Sequence, residues 1–353
     1  MPFLKEKTMN KRIIALVLAV AFLFSGFSLT GEVSEARRTV EGYIEMAVRA
    51  VRNVLGVRSY GNYEELCAVP EIENGYVPQG YCYSESRKLH FISYYHGDGA
   101  SVISVVDGES GERIKTLTLK KADGKDFKGH AGGIAEDGTF FYVVDGKKIF
   151  RLDMNIMLLT PDGGSLFLVN KVTTDVKCSY LNSDGVYLYA GEFYTFTTDG
   201  SYDTDKSHHM SISLFETTYA RCNAYKLSEL EFTPEGTDAV PAMAFTTPNC
   251  VQGFARLPDG TFALSISYGR DNNSALSFYE DVTKGECDFT ISYGDVNVPA
   301  YHLRKGVRTE KLRQPPLLEG IDDMNGIVAG IFESCADKYS DAAFIVEKIC
   351  VFK

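Results

Sequence analysis

The 353-residue chain contains no tryptophan, no Cys-x-x-Cys pair, no GxSxG nucleophile elbow, no HExxH helix, no P-loop and no EF-hand loop. Those gaps exclude the local signatures of the common hydrolases, zinc enzymes and nucleotide-binding proteins. They leave room for a site assembled from distant segments, which needs no local motif.

Basic charge is also scarce. Lys and Arg total 36 against 47 Asp and Glu, a net charge of −11, and a surface with that excess repels phosphate backbones. No Lys/Arg cluster with interleaved aromatics offsets it, so nucleic acid is not an expected partner.

What is abundant points to strands. The 21 Tyr, 22 Phe and 32 Gly suit short strands joined by tight turns. The 44% hydrophobic content supports a large core, and length alone admits one domain or two.

Lys11 and Arg12 precede the apolar run Ile13–Phe24, and a small-polar stretch ends in Ser34-Glu35-Ala36. Residues 1–36 read as a secretory signal peptide, with a mature chain beginning near Arg37 outside the cytoplasm. Met9 offers a second start, an uncleaved anchor is the alternative, and no Cys follows the run to carry a lipid. A stable membrane anchor is not expected. Residues 37–66 form the next segment, where Val40, Ile44, Val48, Val51 and Leu55 recur at helical spacing before Gly56, as in an amphipathic helix.

From about residue 67 to 353 the period changes to that of strands, and a weak repeat emerges. Its copies are VPQGYCYSESRKLHFISYY, GHAGGIAEDGTFFYVVDG, the divergent VKCSYLNSDGVYLYAGEF, VQGFARLPDGTFALSISYG and LLEGIDDMNGIVAGIFES. They open at Gly80, Gly132, Cys178, Gly253 and Gly320, spaced by 52, 46, 75 and 67 residues. Several copies continue with further strands, giving antiparallel units that cannot bury both faces alone but can when stacked radially, as in a β-propeller. Five blades fit directly, the longer intervals leave room for a sixth, and a pair of packed sandwiches is the rival fold. The expected class is an all-β propeller and a monomer.

The first strand of each blade lines a central channel, so the polar residues that open it face one another: Gln79, His130, Lys177, Gln252 and Glu319. Second strands end near the same face at Tyr94, Asp145, Glu192, Tyr268 with Arg270, and Glu333. Gln79, His130, Gln252, Tyr268, Arg270, Glu319 and Glu333 form the candidate ligand-binding set. A mixed ring of donors and acceptors orients a small molecule, a glycan or a protein side chain. The plainer reading is that these residues satisfy strand ends while Gly permits close packing.

Other residues invite weaker readings. Export makes the eight cysteines potential disulfide partners, and Cys67 with Cys350 would clamp the two ends of a ring. Cys178 and Ser179 offer a nucleophile near His130. His208-His209, beside Asp199, Asp203 and Asp205, has the chemistry of a divalent-metal site, but adjacent strand histidines point apart, so a solvated loop is the simpler reading. Asn272-Asn273-Ser274 is a formal glycosylation sequon. No metal site and no cofactor are assigned.

QGFARLPDGTFALSISYGRDNNSALSFYED and PPLLEGIDDMNGIVAGIFESCADKY, with VPQGYCYSESRKLHFISYY and GHAGGIAEDGTFFYVVDG, resemble secreted bacterial β-propeller proteins. Residues 70–353 are similar, more distantly, to the lactonase, phosphotriesterase and NHL-repeat propeller superfamily. Calcium-dependent lactonases of that superfamily use a Glu, Asn and Asp set at the channel. This chain offers Glu319 and Glu333 without a matching Asn and Asp, so the resemblance does not carry calcium catalysis across. Two functions follow: binding at the channel mouth without chemistry, or a lactonase- or esterase-type hydrolase with Glu319 as metal ligand or general base.

Overall fold

A computed structural model describes Tyr43 and residues 60–213 and 216–353. The signal segment, and the expected helix apart from the helical Tyr43, lie outside the described residues. No helix among the described residues is long and apolar enough to cross a membrane. Contacts divide the chain into two units, one of residues 1–58 with Thr195–Asp203, the other Ser59–Tyr194 with Thr204–Lys353. In the first, Tyr43 meets Phe196 edge-on at 5.3 Å.

Among its described residues the second unit is all-β, with twenty-four strands and a single six-residue α-helix. Strand β1 (Tyr63–Ala68) is followed by β2 (Tyr76–Ser84), β3 (Leu89–His96), β4 (Val102–Asp107) and β5 (Arg113–Lys121). Next come β6 (Ile134–Glu136), β7 (Phe140–Asp153), helix α1 (Met154–Leu159, capped by Asp153), β8 (Ser165–Leu168), β9 (Lys171–Ser183) and β10 (Tyr187–Glu192). An insertion holds β11 (Met210–Ser213) and β12 (Glu216–Thr218), which lead to β13 (Ala220–Lys226), β14 (Thr237–Asp238) and β15 (Met243–Thr247). The chain continues through β16 (Val251–Arg256), β17 (Phe262–Ile266), β18 (Ser274–Tyr279), β19 (Phe289–Tyr293), β20 (Val296–His302) and β21 (Arg308–Gln314). It ends with β22 (Leu318–Met324), β23 (Ile327–Phe332) and β24 (Lys348–Phe352).

These strands pair mostly with their sequence neighbours. One sheet runs β2-β3-β4-β5-β8, another β16-β17-β18-β21, and a third β22-β23-β24. The largest sheet holds two successive meanders joined through long strands: β7 shifts register between Gly146 and Lys148, Lys171–Thr173 of β9 pairs with β7, and Cys178–Ser183 of β9 pairs with β10. Beyond β10 the second meander adds β13 and β15, then the hairpin β20-β19.

Strand β1 is borrowed by the other end of the chain, where Tyr63 lies opposite Phe352 and Glu65 opposite Cys350. The boundary expected between residues 66 and 67 therefore falls inside a strand, because the last sheet needs an outer neighbour for β24. The expected Cys67–Cys350 clamp is also corrected, since both thiols are free. A bulge between Glu65 and Ala68 offsets the register, and Cys67 packs beside Tyr81 while Cys350 packs with Leu318 on a different core cluster. Main-chain pairing holds the ends together.

The first strands of the meanders touch one another in sequence: β2 packs on β6, β6 on β9, β9 on β16, β16 on β22, and β22 on β2. Glycine is required where their backbones meet. A Cβ on Gly320 would lie 2.4 Å from the Tyr81 amide nitrogen, and one on Gly253 would lie 2.7 Å from the Glu319 carbonyl oxygen. Second-strand serines fasten the same crossings, with Ser93 Oγ donating to the Ala131 carbonyl at 2.6 Å and Ser265 Oγ to that of Glu319 at 2.6 Å. The repeated Gly step thus records close backbone approach.

Candidate functional site

Each Gly in those crossings is preceded by, or lies near, a polar residue, and this places the predicted side chains at one end of the first strands. Gln79 on β2 donates through Nε2 to Glu333 Oε1 at 2.6 Å, and its Oε1 meets His130 Nδ1 at 3.3 Å. Gln252 on β16 donates to Glu319 Oε1 at 2.9 Å. Glu319 on β22 is hydrogen-bonded to Glu333, which follows β23. Five of the seven predicted residues, from four different first strands or their approaches, thus form one connected polar group.

Glu319 and Glu333 are both buried, at 4% and 7% exposure. Burial and the neighbouring Glu333 carboxylate push Glu319 well above the usual carboxylate range. Burial also raises Glu333, against the hydrogen bonds it accepts from Gln79, Glu319 and Tyr339 and the nearby Lys338 charge. The hydrogen bond between the two raises Glu319 and lowers Glu333, so a proton on the pair is favoured on Glu319. This arrangement accommodates one buried negative charge where two would repel.

An aromatic and cationic rim surrounds the pair. Tyr339 donates to Glu333 Oε1 at 3.2 Å. Tyr95 lies 4.4 Å from the His130 ring, and Lys338 donates to the Tyr95 hydroxyl. The Lys338 ammonium thus lies at the hydroxyl edge of Tyr95, 5.0 Å from its ring centre, and 5.1 Å from the ring centre of Tyr339. Arg270 reaches the group through Tyr339, with its guanidinium 4.9 Å from that ring, and is ion-paired with Asp341. His130 is exposed, and its pKa is lowered by desolvation first and then by Lys338, with Asp145 opposing and Lys177 adding to the fall.

Other sequence expectations require correction. Tyr268 lies against Phe193, with ring centres 6.0 Å apart. Tyr94 is fully buried in the core, because strand alternation gives the mouth to Tyr95. Glu192 turns toward the insertion and accepts from His208 Nδ1 at 2.9 Å. His208 is buried, its Nε2 lies 2.8 Å from Arg221 Nη2, and Arg221 is ion-paired with Asp175. It is thus a core residue in a Glu192–His208–Arg221–Asp175 chain, while Asp205 caps the turn through Ser207. Burial pushes the Cys178 thiol up to about 12, so it carries no activated nucleophile.

Turns at the opposite ends of the same strands border an open cleft of about 1170 Å³. Turn carboxylates Asp137, Asp184, Asp259 and Asp323 line it, each bonded to main-chain amides of its own turn. Asp322 is tied to Asn182 at 2.7 Å and to the Tyr83 amide at 2.9 Å. Burial nevertheless pushes it up to about 7. Among the described residues no group of three or more His, Cys, Asp or Glu side chains is placed to hold a metal ion.

No family model matches the chain, and no curated protein matches it. Among solved structures it is similar to a glutaminyl cyclase from Myxococcus xanthus, with 10% identity, 84% of this chain and 95% of that one covered, and a TM-score of 0.43. It is also similar to a PQQ-bound aldose sugar dehydrogenase from Streptomyces coelicolor, with 14% identity, coverage of 84% and 99%, and a TM-score of 0.44. A third likeness, to the tail fiber of Staphylococcus aureus phage P68, has 11% identity, coverage of 87% and 56%, and a TM-score of 0.42. Likenesses of this depth assign no activity to the chain.

Proposed function

We propose that this chain is an exported five-bladed β-propeller that binds a small ligand, or a side chain of a partner, at the mouth built on Glu319 and Glu333. The observation that carries the reading is that Gln79 and Gln252, from two first strands, bond the buried pair formed by Glu333 and by Glu319 of a third, with His130, from the segment before a fourth, bonded to Gln79. Buried polar groups that could have been apolar at lower desolvation cost are what a ligand-orienting site requires. Two carboxyls with one proton, two amides and two tyrosines offer both donors and acceptors to a guest.

A thermal-shift panel of neutral sugars, amines and carboxylates, run on the full chain and on Gln79→Ala and Gln252→Ala, tests this. The expected result is at least one class that raises the melting temperature of the parent and not of the variants. Hits unaffected by both substitutions would place binding elsewhere and overturn the reading.

A further inference from the structure

A groove of about 290 Å³, lined by residues other than the carboxyl pair, joins apolar and basic groups between the sheet of β5 and β8 and that of β7 and β9. Its floor is Phe127, Phe150 and Leu168, buried members of one core cluster, with the two phenyl rings edge to face at 6.4 Å. Its rim is Lys121, Lys148 and Lys171, against a single lining carboxylate, Asp145. Strand pairing fixes where the lysines stand, Lys121 beside Leu168, Lys171 opposite Phe150 and Lys148 opposite Thr173. The nearby Lys120 and Lys125 are ion-paired with Asp126 and Asp123. Among the described residues Lys121 and Lys148 form no ion pair, and Lys121 acts on Asp123 only at longer range. The Lys171 ammonium is held by the Pro234 carbonyl, a neutral partner that leaves its charge uncancelled. In a chain of net charge −11 this is a positive rim over an apolar floor.

We infer that this groove is a second site, for a small organic carboxylate with an aromatic or aliphatic body. Its volume lies near the lower end of small-ligand pockets, about 300 Å³, which suits one ring or a short chain. The apolar body covers Phe127, Phe150 and Leu168 and releases the water on them, while the carboxylate meets Lys121 and Lys148 at the rim. Both lysines lie on exposed strand positions, so their flexible stems can follow the guest without moving the backbone. Asp145 offsets one of the three positive charges and leaves an excess. An inorganic anion meets the lysines without using the floor, and a neutral ring uses the floor without meeting a charge. The plainer alternative is that the lysine stems merely cover apolar surface while their heads stay in water. The site does not depend on the reading of the mouth.

Isothermal titration of the full chain with 3-phenylpropionate tests the assignment. Acetate, which lacks the ring, and 3-phenylpropan-1-ol, which lacks the charge, should each bind about tenfold more weakly. Lys121→Met and Lys148→Met keep the stems and remove the charges, and each should weaken 3-phenylpropionate about threefold to fivefold. Lys125→Met, outside the groove, and Gln79→Ala, at the mouth, should leave the affinity unchanged. No binding of 3-phenylpropionate, equal binding of the alcohol, full affinity in both Lys121→Met and Lys148→Met, or an equal loss in Lys125→Met overturns the assignment. A loss confined to Gln79→Ala moves the carboxylate to the mouth and also overturns it. A carboxylate response that follows Lys121 and Lys148 belongs to this groove and leaves the mouth to be judged on the other classes of its panel.

Discussion

Gln79 and Glu333 stand 254 residues apart and share a 2.6 Å hydrogen bond in the protein interior. Glu333 also accepts from Tyr339 and from the Glu319 acid, whereas Glu319 gives its proton away and accepts from Gln252. The two glutamates are thus not equivalent. Glu319→Gln reproduces both roles, with Nε2 as donor and Oε1 as acceptor, and should change stability at neutral pH by less than about 1 kcal/mol. Glu333→Gln sets an amide among three donors and should cost about 2–3 kcal/mol. Urea denaturation of the two variants checks the asymmetry; equal losses would contradict the assignment of the proton.

The same proton sets a pH dependence. An acid whose folded pKa is raised binds more protons in the folded state, so its contribution to stability falls as pH rises from the unfolded value through the folded one. Glu319 and Glu333 are raised, and Asp322 is pushed up to about 7. Between pH 6.5 and 8 the melting temperature should therefore decline. Glu319→Gln should flatten the decline, and a melting temperature that climbs across this range in the parent would contradict it.

His90 acts in the opposite sense on the acid side. It is buried, bonded through Nδ1 to the Tyr81 hydroxyl at 2.8 Å, and lowered by desolvation to about 4. At this residue the unfolded chain then binds more protons between pH 4 and 6.5, so the contribution of His90 to stability rises with pH through that window, against the fall set by the raised carboxyls. The contribution is about 2–3 kcal/mol at pH 7 and is lost as pH falls toward 4. His90→Gln should shrink the loss on acidification, as measured by denaturant titrations at pH 7 and 4.5.

The end-to-end pairing is the most exposed structural dependency. Removing residues before Val69 deletes β1 and uncovers the edge of β24, together with Tyr63, which packs near Phe332 and Phe352. That truncation should lower the melting temperature by roughly 10 °C or more, as expected when several kcal/mol of edge pairing and burial are lost. Cys67→Ser should leave it nearly unchanged, because no disulfide joins Cys67 to Cys350.

Arg221 is buried and meets Asp175 and His208 at once. Arg221→Met leaves Asp175 without its cation and His208 Nε2 without its donor, and should cost about 3 kcal/mol. A double-mutant cycle with Asp175→Asn checks it, the coupling being expected to recover a substantial part of the loss.

Much of this was legible because the glycines report a physical constraint. Where first strands cross, only Gly fits, and that constraint generates the repeat from which Gln79, Gln252 and Glu319 were read. The second-strand positions were harder, since one residue of error swaps the two faces of a strand. Tyr94 and Tyr95 differ in that way. Lys338 and Tyr339 sit in turns with no counterpart in other repeats, so nothing marked them. His208 lies in an insertion whose partners, Glu192 and Arg221, are set by tertiary packing alone. Strands β7 and β9 each serve more than one partner, and the change of partner does not show as a change in hydrophobic period.

The central claim, that remote strands converge on a carboxyl pair holding one proton, is tested most directly by ¹³C NMR of glutamate-labelled protein titrated from pH 4 to 9. The account predicts two coupled carboxyl resonances, at least one shifting well above the usual carboxylate range and absent in Glu319→Gln, with its partner altered. A full set of glutamates titrating independently near 4.5 would contradict it.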